Sequence, residues 1–131
     1  MFYRLIAASV IALTVAACEE KVPAAETLTG TVGYRERMAL PPEAEVEVKL
    51  VDVSLADAPS TMIAETRFKP EGQVPVPFEL TYDPSKIIDN HTYALQARIT
   101  DQGELMFTTT TQYRVLQGGQ NMTDLMLQRV N

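Results

Sequence analysis

Cys18 and His91 are the only cysteine and the only histidine among 131 residues. The chemistry they permit is narrow. A thiol without a second cysteine closes no disulfide within its own chain, and a leftover cysteine in a secreted protein needs another explanation. His91 stands beside Asp89 and Asn90 and could act as a general base. No nucleophile with a recognisable motif accompanies it, so it reads as a solvated loop residue. CxxC, HExxH and glycine-rich phosphate loops are absent from the sequence. The carboxylates are scattered through alternating segments and read as solvated faces, and Asp52 with Asp57 makes only an unspecific metal pair. Met38, Met62, Met106, Met122 and Met126 could offer thioethers to Cu(I). They lie in separate segments and read as core fillers. These residues therefore predict no catalytic residue, no resident metal and no cofactor.

The cysteine is explained by what precedes it. Arg4 is followed by the apolar run Leu5–Ala17, the layout of a secretory signal. The run is shorter than the ~20 residues a bilayer-spanning helix needs. Val15, Ala16, Ala17 and Cys18 resemble the lipobox of bacterial lipoproteins. That resemblance implies a diacylglycerol on the Cys18 thiol, cleavage before it, and acylation of the new amino group. Each buried CH₂ contributes about 0.8 kcal/mol, and stable anchoring takes more than one chain. In enteric lipoproteins Asp after the cysteine favours the inner membrane. Glu19 stands here instead, so the expected location is the outer membrane, facing the periplasm. The expected division is a signal peptide over 1–17, a lipidated tether over 18–27 and one domain over 28–131.

The chain carries 11 basic and 17 acidic side chains, a formal net charge of −6. Loss of Arg4 with the signal makes the mature chain more negative still. This balance disfavours nucleic acid as a partner and gives no electrostatic attraction to anionic lipid.

The elements that must carry any surface are strands. Glu45, Glu47 and Lys49 alternate with Val46, Val48 and Leu50, and Tyr93, Leu95, Ala97 and Ile99 alternate with polar or small residues. Phe78, Leu80 and Tyr82 form another inward set, and Pro75 and Pro77 place the start of that run at a sheet edge or outside the sheet. Met62, Ala64, Thr66 and Phe68 share a face in a further run. The phase slips at Leu50–Val51, after which Val51, Val53 and Leu55 continue the apolar series, so a bulge or bend is expected there. Asp101-Gln102-Gly103 is a tight hairpin turn, Gly118-Gly119 another turn, and "DPSKIIDNH" has room for one helical turn. No long window has a 3.6-residue period. The expected fold is all-β: a small Ig-like or transthyretin-like β-sandwich of seven or eight antiparallel strands.

Leu28, Gly30, Val32 and Tyr34 alternate with Thr29, Thr31 and Gly33 in a first run, and between it and the Val46 run lies "GYRERMALPPEAEV". Arg35 and Arg37 are a basic pair, Met38 and Leu40 are apolar, and Pro41-Pro42 hold the chain extended. Tyr34, Arg35, Arg37, Met38 and Leu40 form the candidate partner-binding set. The alternative is a crossover that tucks Leu40 under the sheet.

"YRERMALPPEAEVEV" and "ARITDQGELMFTT", with "PVPFELTYDPSKI" between them, resemble the YbaY/YscW-type lipoproteins, and the resemblance runs from Leu28 to Val130. It implies a bacterial envelope lipoprotein with a β-sandwich domain. In the secretion-linked branch, members are pilots that bind a secretin subunit and take it to the outer membrane. Other members stand alone. The family supplies no catalytic residue to carry over. The expected function is a non-enzymatic, periplasm-facing lipoprotein that binds or helps assemble an envelope protein, a secretin subunit if the chain is of the secretion branch. A glycan- or small-ligand-binding module is the alternative.

Overall fold

The computed structural model describes residues 25–55 and 58–130. The expected signal peptide, Cys18, most of the tether and Asp57 lie outside the described residues. Eight strands follow in chain order: β1 (Glu26–Tyr34), β2 (Ala44–Asp52), β3 (Thr61–Phe68), β4 (Val76–Tyr82), β5 (Tyr93–Asp101), β6 (Glu104–Thr108), β7 (Tyr113–Val115) and β8 (Asp124–Arg129). A single 3₁₀ turn, Pro84–Lys86, falls within the expected stretch, and Asp83 caps it by accepting from the Ser85 N–H. The all-β class holds.

The strands form one continuous sheet in the order β3-β2-β5-β6-β8-β1-β4, with β7 pairing β5 alongside. The end strands β3 and β4 come side by side, so the sheet curls into a nearly closed barrel around one core. One pairing departs from the antiparallel expectation: β1 runs parallel to β8, Thr31–Tyr34 against Asp124–Leu127. A parallel pair needs a long connection, and here the rest of the domain supplies it.

Period-two alternation sets the core. Val76, Phe78, Leu80 and Tyr82 of β4 are buried and the residues between them are exposed. Val46, Val48, Leu50, Tyr93, Leu95, Ala97, Ile99 and Phe107 are buried with them. β4 ends the sheet order, as its prolines require. The β5–β6 hairpin turns through Gln102 (φ 51°) and Gly103 (φ 86°), with positive φ at both central positions as in a type I′ turn.

The bulge expected at Leu50–Val51 is present, and its extra residue lies on the neighbouring strand. The register breaks there against β3, yet β2 runs unbroken against β5, Leu50 facing Leu95 and Val51 facing Ala94. The extra residue is Ile63, because Leu50 pairs with Ala64 and Val51 with Met62. The bulge packs both Ile63 and Ala64 against the core. Met62, expected inside, is 53% exposed. β2 stops at Asp52 and Leu55 is exposed, so the apolar series does not continue inward to Leu55. The core reading of the methionines holds for Met38 and Met106 and fails for Met62, Met122 and Met126, which are exposed.

Gly30 is where the parallel pair comes closest. The Thr31 N–H donates to the Thr123 carbonyl at 3.0 Å, and a Cβ on Gly30 would sit 2.0 Å from that same oxygen. Gly30→Ala should therefore lower stability by about 1–3 kcal/mol, since the obstacle is backbone. Gly33→Ala, whose nearest neighbour would be Pro75 Cα at 4.0 Å, should leave the urea midpoint nearly unchanged. A Gly30→Ala midpoint equal to that of Gly33→Ala would contradict the close approach.

Candidate partner-binding surface

The chain enters β1 at Glu26, beside Tyr82. Eight residues later, about 27 Å along the strand, β1 ends at Tyr34. At this far end the register also places the start of β2, the end of β3 and the start of β4. The segment expected to meet a partner and the seam between the two sheet ends thus lie together.

Tyr34 is buried, and its ring stacks on Phe107 with centroids 4.1 Å apart and planes 6° from parallel. Its hydroxyl donates to the Met38 carbonyl at 2.6 Å, which folds the segment back over the barrel end. Burial, and then the nearby Glu36 carboxylate, push the Tyr34 phenol up. Leu40 is buried as well, and its N–H donates to Gln73 Oε1 at 2.7 Å. The Pro41 carbonyl accepts from the Ala44 N–H at 3.0 Å, a turn with Pro42 in the position where a fixed φ is favoured. The loop is therefore a plug by its apolar members. Tyr34 and Leu40 face inward, Met38 packs against the core, and Arg35, Glu36 and Arg37 are left exposed. Both readings of this segment apply, to different side chains.

Gln73 ties the plug to the seam. β3 and β4 are the ends of the sheet, and where they diverge Phe68, Gln73, Val76 and Pro77 line a cavity of about 320 Å³. Lys69, just after β3, reaches Glu43, just before the paired strand β2, at 3.3 Å, an exposed ion pair of little energetic weight. Arg35 lines a separate cavity with Tyr113, Met126 and Gln128, so the surface of this barrel end combines exposed Arg35 and Arg37 with a mixed cleft, apolar at Phe68, Val76 and Pro77 and polar at Lys69, Glu71 and Gln73. It can take the flank of an extended or helical segment and pair with its carboxylates.

The other chemistry-bearing residues meet at the opposite end. His91 is half-buried, not a free loop residue, and its Nδ1 lies 2.6 Å from Asp52 Oδ2. Ser54 donates to Asp52 Oδ1 through both its N–H, at 3.0 Å, and its hydroxyl, at 2.5 Å. The Thr92 N–H then donates to Ser54 Oγ at 2.8 Å. Burial pushes the Asp52 carboxyl up, but the hydrogen bonds from His91 and Ser54 more than offset this and hold it below its usual range. The carboxylate stands between serine and histidine. A histidine-activated nucleophile needs the serine on the imidazole, so this trio pins the two loops together. Ser54 had no sequence motif to mark it. No cluster of three or more metal-ligating side chains occurs among the described residues.

Comparison with known proteins adds to this geometry. The family described as type III secretion system lipoprotein chaperone (YscW) matches residues 23–127. The uncharacterized lipoprotein YbaY of Escherichia coli (strain K12) is 36% identical over 139 residues, covering 89% of this chain and 73% of that protein. The structure of an alternative pilotin from the type II secretion system of Vibrio cholerae is similar with a TM-score of 0.77 and 46% identity, over 82% of this chain and 98% of the pilotin.

Proposed function

Because the chain belongs to the type III secretion system lipoprotein chaperone (YscW) family, we propose that it is a pilot-like envelope lipoprotein, not an enzyme. In this reading it binds a secretin subunit and assists its assembly at the outer membrane. The observation that carries the reading is the pilotin likeness, which spans 98% of that protein's chain at 46% identity. Lipid on Cys18 holds the start of β1 toward the membrane. The Arg35–Arg37 loop and the β3/β4 seam, at the other end of β1, then face the periplasm where a partner's segment can reach them. Arg35 and Arg37 form a basic spot on a chain of net charge −6, which selects an acidic flank on the partner segment.

The test is crosslinking in intact cells, with photoreactive residues placed at Arg35, Arg37 and, at the far end, Gln117. Adducts with one envelope protein should form at the first two positions and not at the third. Arg35→Ala/Arg37→Ala should weaken capture about tenfold, the effect of losing ~1.4 kcal/mol of charge-assisted hydrogen bonding. Equal adducts at all three positions, or full capture by a stably folded double variant, would remove the loop from the interface.

A further inference from the structure

The charged residues that alternate with the core on β2 were expected to be solvated, and one of them is not. Glu47 is 9% exposed and is the buried charged residue among those described. Its burial follows from the path of the chain after β6. β6 pairs with β5 at Arg98–Asp101, and β7 pairs with it again at Tyr93–Leu95. Between the two, opposite Gln96 and Ala97, the chain leaves the ladder as a strap over Thr109–Gln112. Its departure is pinned at Ala97, whose carbonyl accepts from the Thr109 N–H at 3.1 Å and whose N–H donates to Thr109 Oγ1 at 3.3 Å. A cavity of about 320 Å³ lies between strap and sheet, at the lower end of the range for small-ligand sites.

Its charges are unevenly matched. Glu47 stands in a cross-strand row between Arg67 and Arg98. Arg67 Nη2 lies 2.9 Å from one carboxylate oxygen and Lys49 Nζ lies 2.9 Å from the other, the latter off the direction of a good hydrogen bond. Burial pushes the Glu47 carboxyl up, but Lys49, Arg67 and Arg98 together outweigh it and hold the group below its usual range. Arg98 forms no ion pair with a carboxylate among the described residues. Glu47, Lys49 and Arg98 all line the cavity, so its wall keeps one positive charge in excess.

We propose that this cleft binds a small monocarboxylate that carries hydroxyl or amide groups. Arg98 takes the carboxylate, because a planar guanidinium fork matches it with two parallel hydrogen bonds. The Thr110 and Thr111 hydroxyls and the Gln112 amide, which line the same cavity, take the ligand's hydroxyl or amide groups, since each can donate and accept. The fixed negative charge of Glu47 opposes a dianion and leaves a monoanion as the better match. No aromatic ring lines the cleft, so recognition is polar and does not use stacking on a sugar face. Two sources fit this chemistry: an acidic sugar and the terminal carboxylate of a short peptide. The cleft does not include the Arg35–Arg37 loop, so its failure would leave the proposed partner binding standing.

The test titrates the full-length protein, purified in detergent, with D-glucuronate, alanylalanine and inorganic phosphate in turn. The readouts are amide NMR shifts of Thr109–Gln112 and the heat of binding. Saturation by glucuronate supports an acidic-sugar site, and saturation by the dipeptide alone supports a peptide-carboxylate site. Arg98→Gln should weaken either about tenfold, the loss of one charge-assisted hydrogen bond. Because that change also removes a charge beside Glu47, Thr110→Val serves as a second variant. It is exposed on the strap, should keep the wild-type unfolding midpoint, and should weaken binding severalfold. The proposal is overturned by phosphate binding as tightly as the carboxylates, by absence of saturation at millimolar ligand, or by affinity unchanged in both variants.

Discussion

Phe107→Ala should lower the unfolding free energy by about 3–5 kcal/mol, out of the roughly 5–15 kcal/mol available to a domain of this size. Three features put Phe107 at the high end. Its side chain is fully buried. It belongs to β6, which stands in the sheet order between the β3-β2-β5 half and the β8-β1-β4 half, with Phe107 opposite Arg129 and Thr108 opposite Gln128. Its ring is also the surface on which Tyr34 stacks, so truncation removes an aromatic pair worth about 0.5–1.5 kcal/mol beyond area burial. The variant should lose more than stability. Tyr34 holds the Met38 carbonyl, and a cavity beneath its ring loosens the loop that presents Arg35 and Arg37. Urea unfolding read by tyrosine fluorescence measures the first effect, and proteolysis within the Arg35–Leu40 segment measures the second. Gln128→Ala, exposed on the facing strand, should change the free energy by no more than about 0.5 kcal/mol. Similar losses for both variants would refute the central place given to Phe107.

The strands were legible where one face meets the core and the other meets water. Tyr93, Leu95, Ala97 and Ile99 announce β5, and Phe78, Leu80 and Tyr82 announce β4, because a period of two states which side is buried. It does not state which strand lies alongside. The parallel β1–β8 pair, held close at Gly30, was therefore invisible, since glycine carries no side chain to enter the pattern. The slip at Leu50–Val51 marked the bulge but not which of the two paired strands carries the extra residue, for a related reason. Both residues are buried although they are adjacent in one strand, so the apolar pattern does not tell them apart. The residue in excess, Ile63, sits in a run whose alternation is equally plausible in either phase. The four threonines Thr108–Thr111 look like continued strand by composition, yet only the first belongs to β6. No local signal says that the chain leaves the ladder at Thr109, and so none says that Glu47 is covered. The loop Tyr34–Pro42 was legible as a choice between plug and docking surface. The structure divides its residues between the two roles, Tyr34 and Leu40 inward, Arg35 and Arg37 outward.

Cys18→Ser should abolish incorporation of labelled acyl chains and remove the protein from the outer-membrane fraction. The expectation rests on the Val15-Ala16-Ala17-Cys18 quartet. Among the described residues no helix is long and apolar enough to cross a membrane. The net charge of −6 gives no attraction to an anionic lipid surface. The exposed large apolar side chains, Leu55, Met62, Ile88, Met122 and Met126, come from separate loops and strands and do not form the apolar face of an interfacial helix. For acyl chains, one binds only marginally and two or more hold. A partial loss is therefore not expected: without the thiol there is no diacylglycerol, and processing before residue 18 has no substrate. The consequence for function follows from geometry. β1 begins at Glu26, at the end opposite Arg35, so an anchor on Cys18 would turn the Arg35 end of the barrel away from the membrane. A variant with Cys18→Ser that still folds, and still crosslinks through Arg35 to a purified partner, should fail to bring that partner to the outer membrane. If Cys18→Ser retains labelled acyl chains, the anchor is elsewhere; if it loses them and the partner still reaches the outer membrane, the pilot role is refuted while the anchor stands.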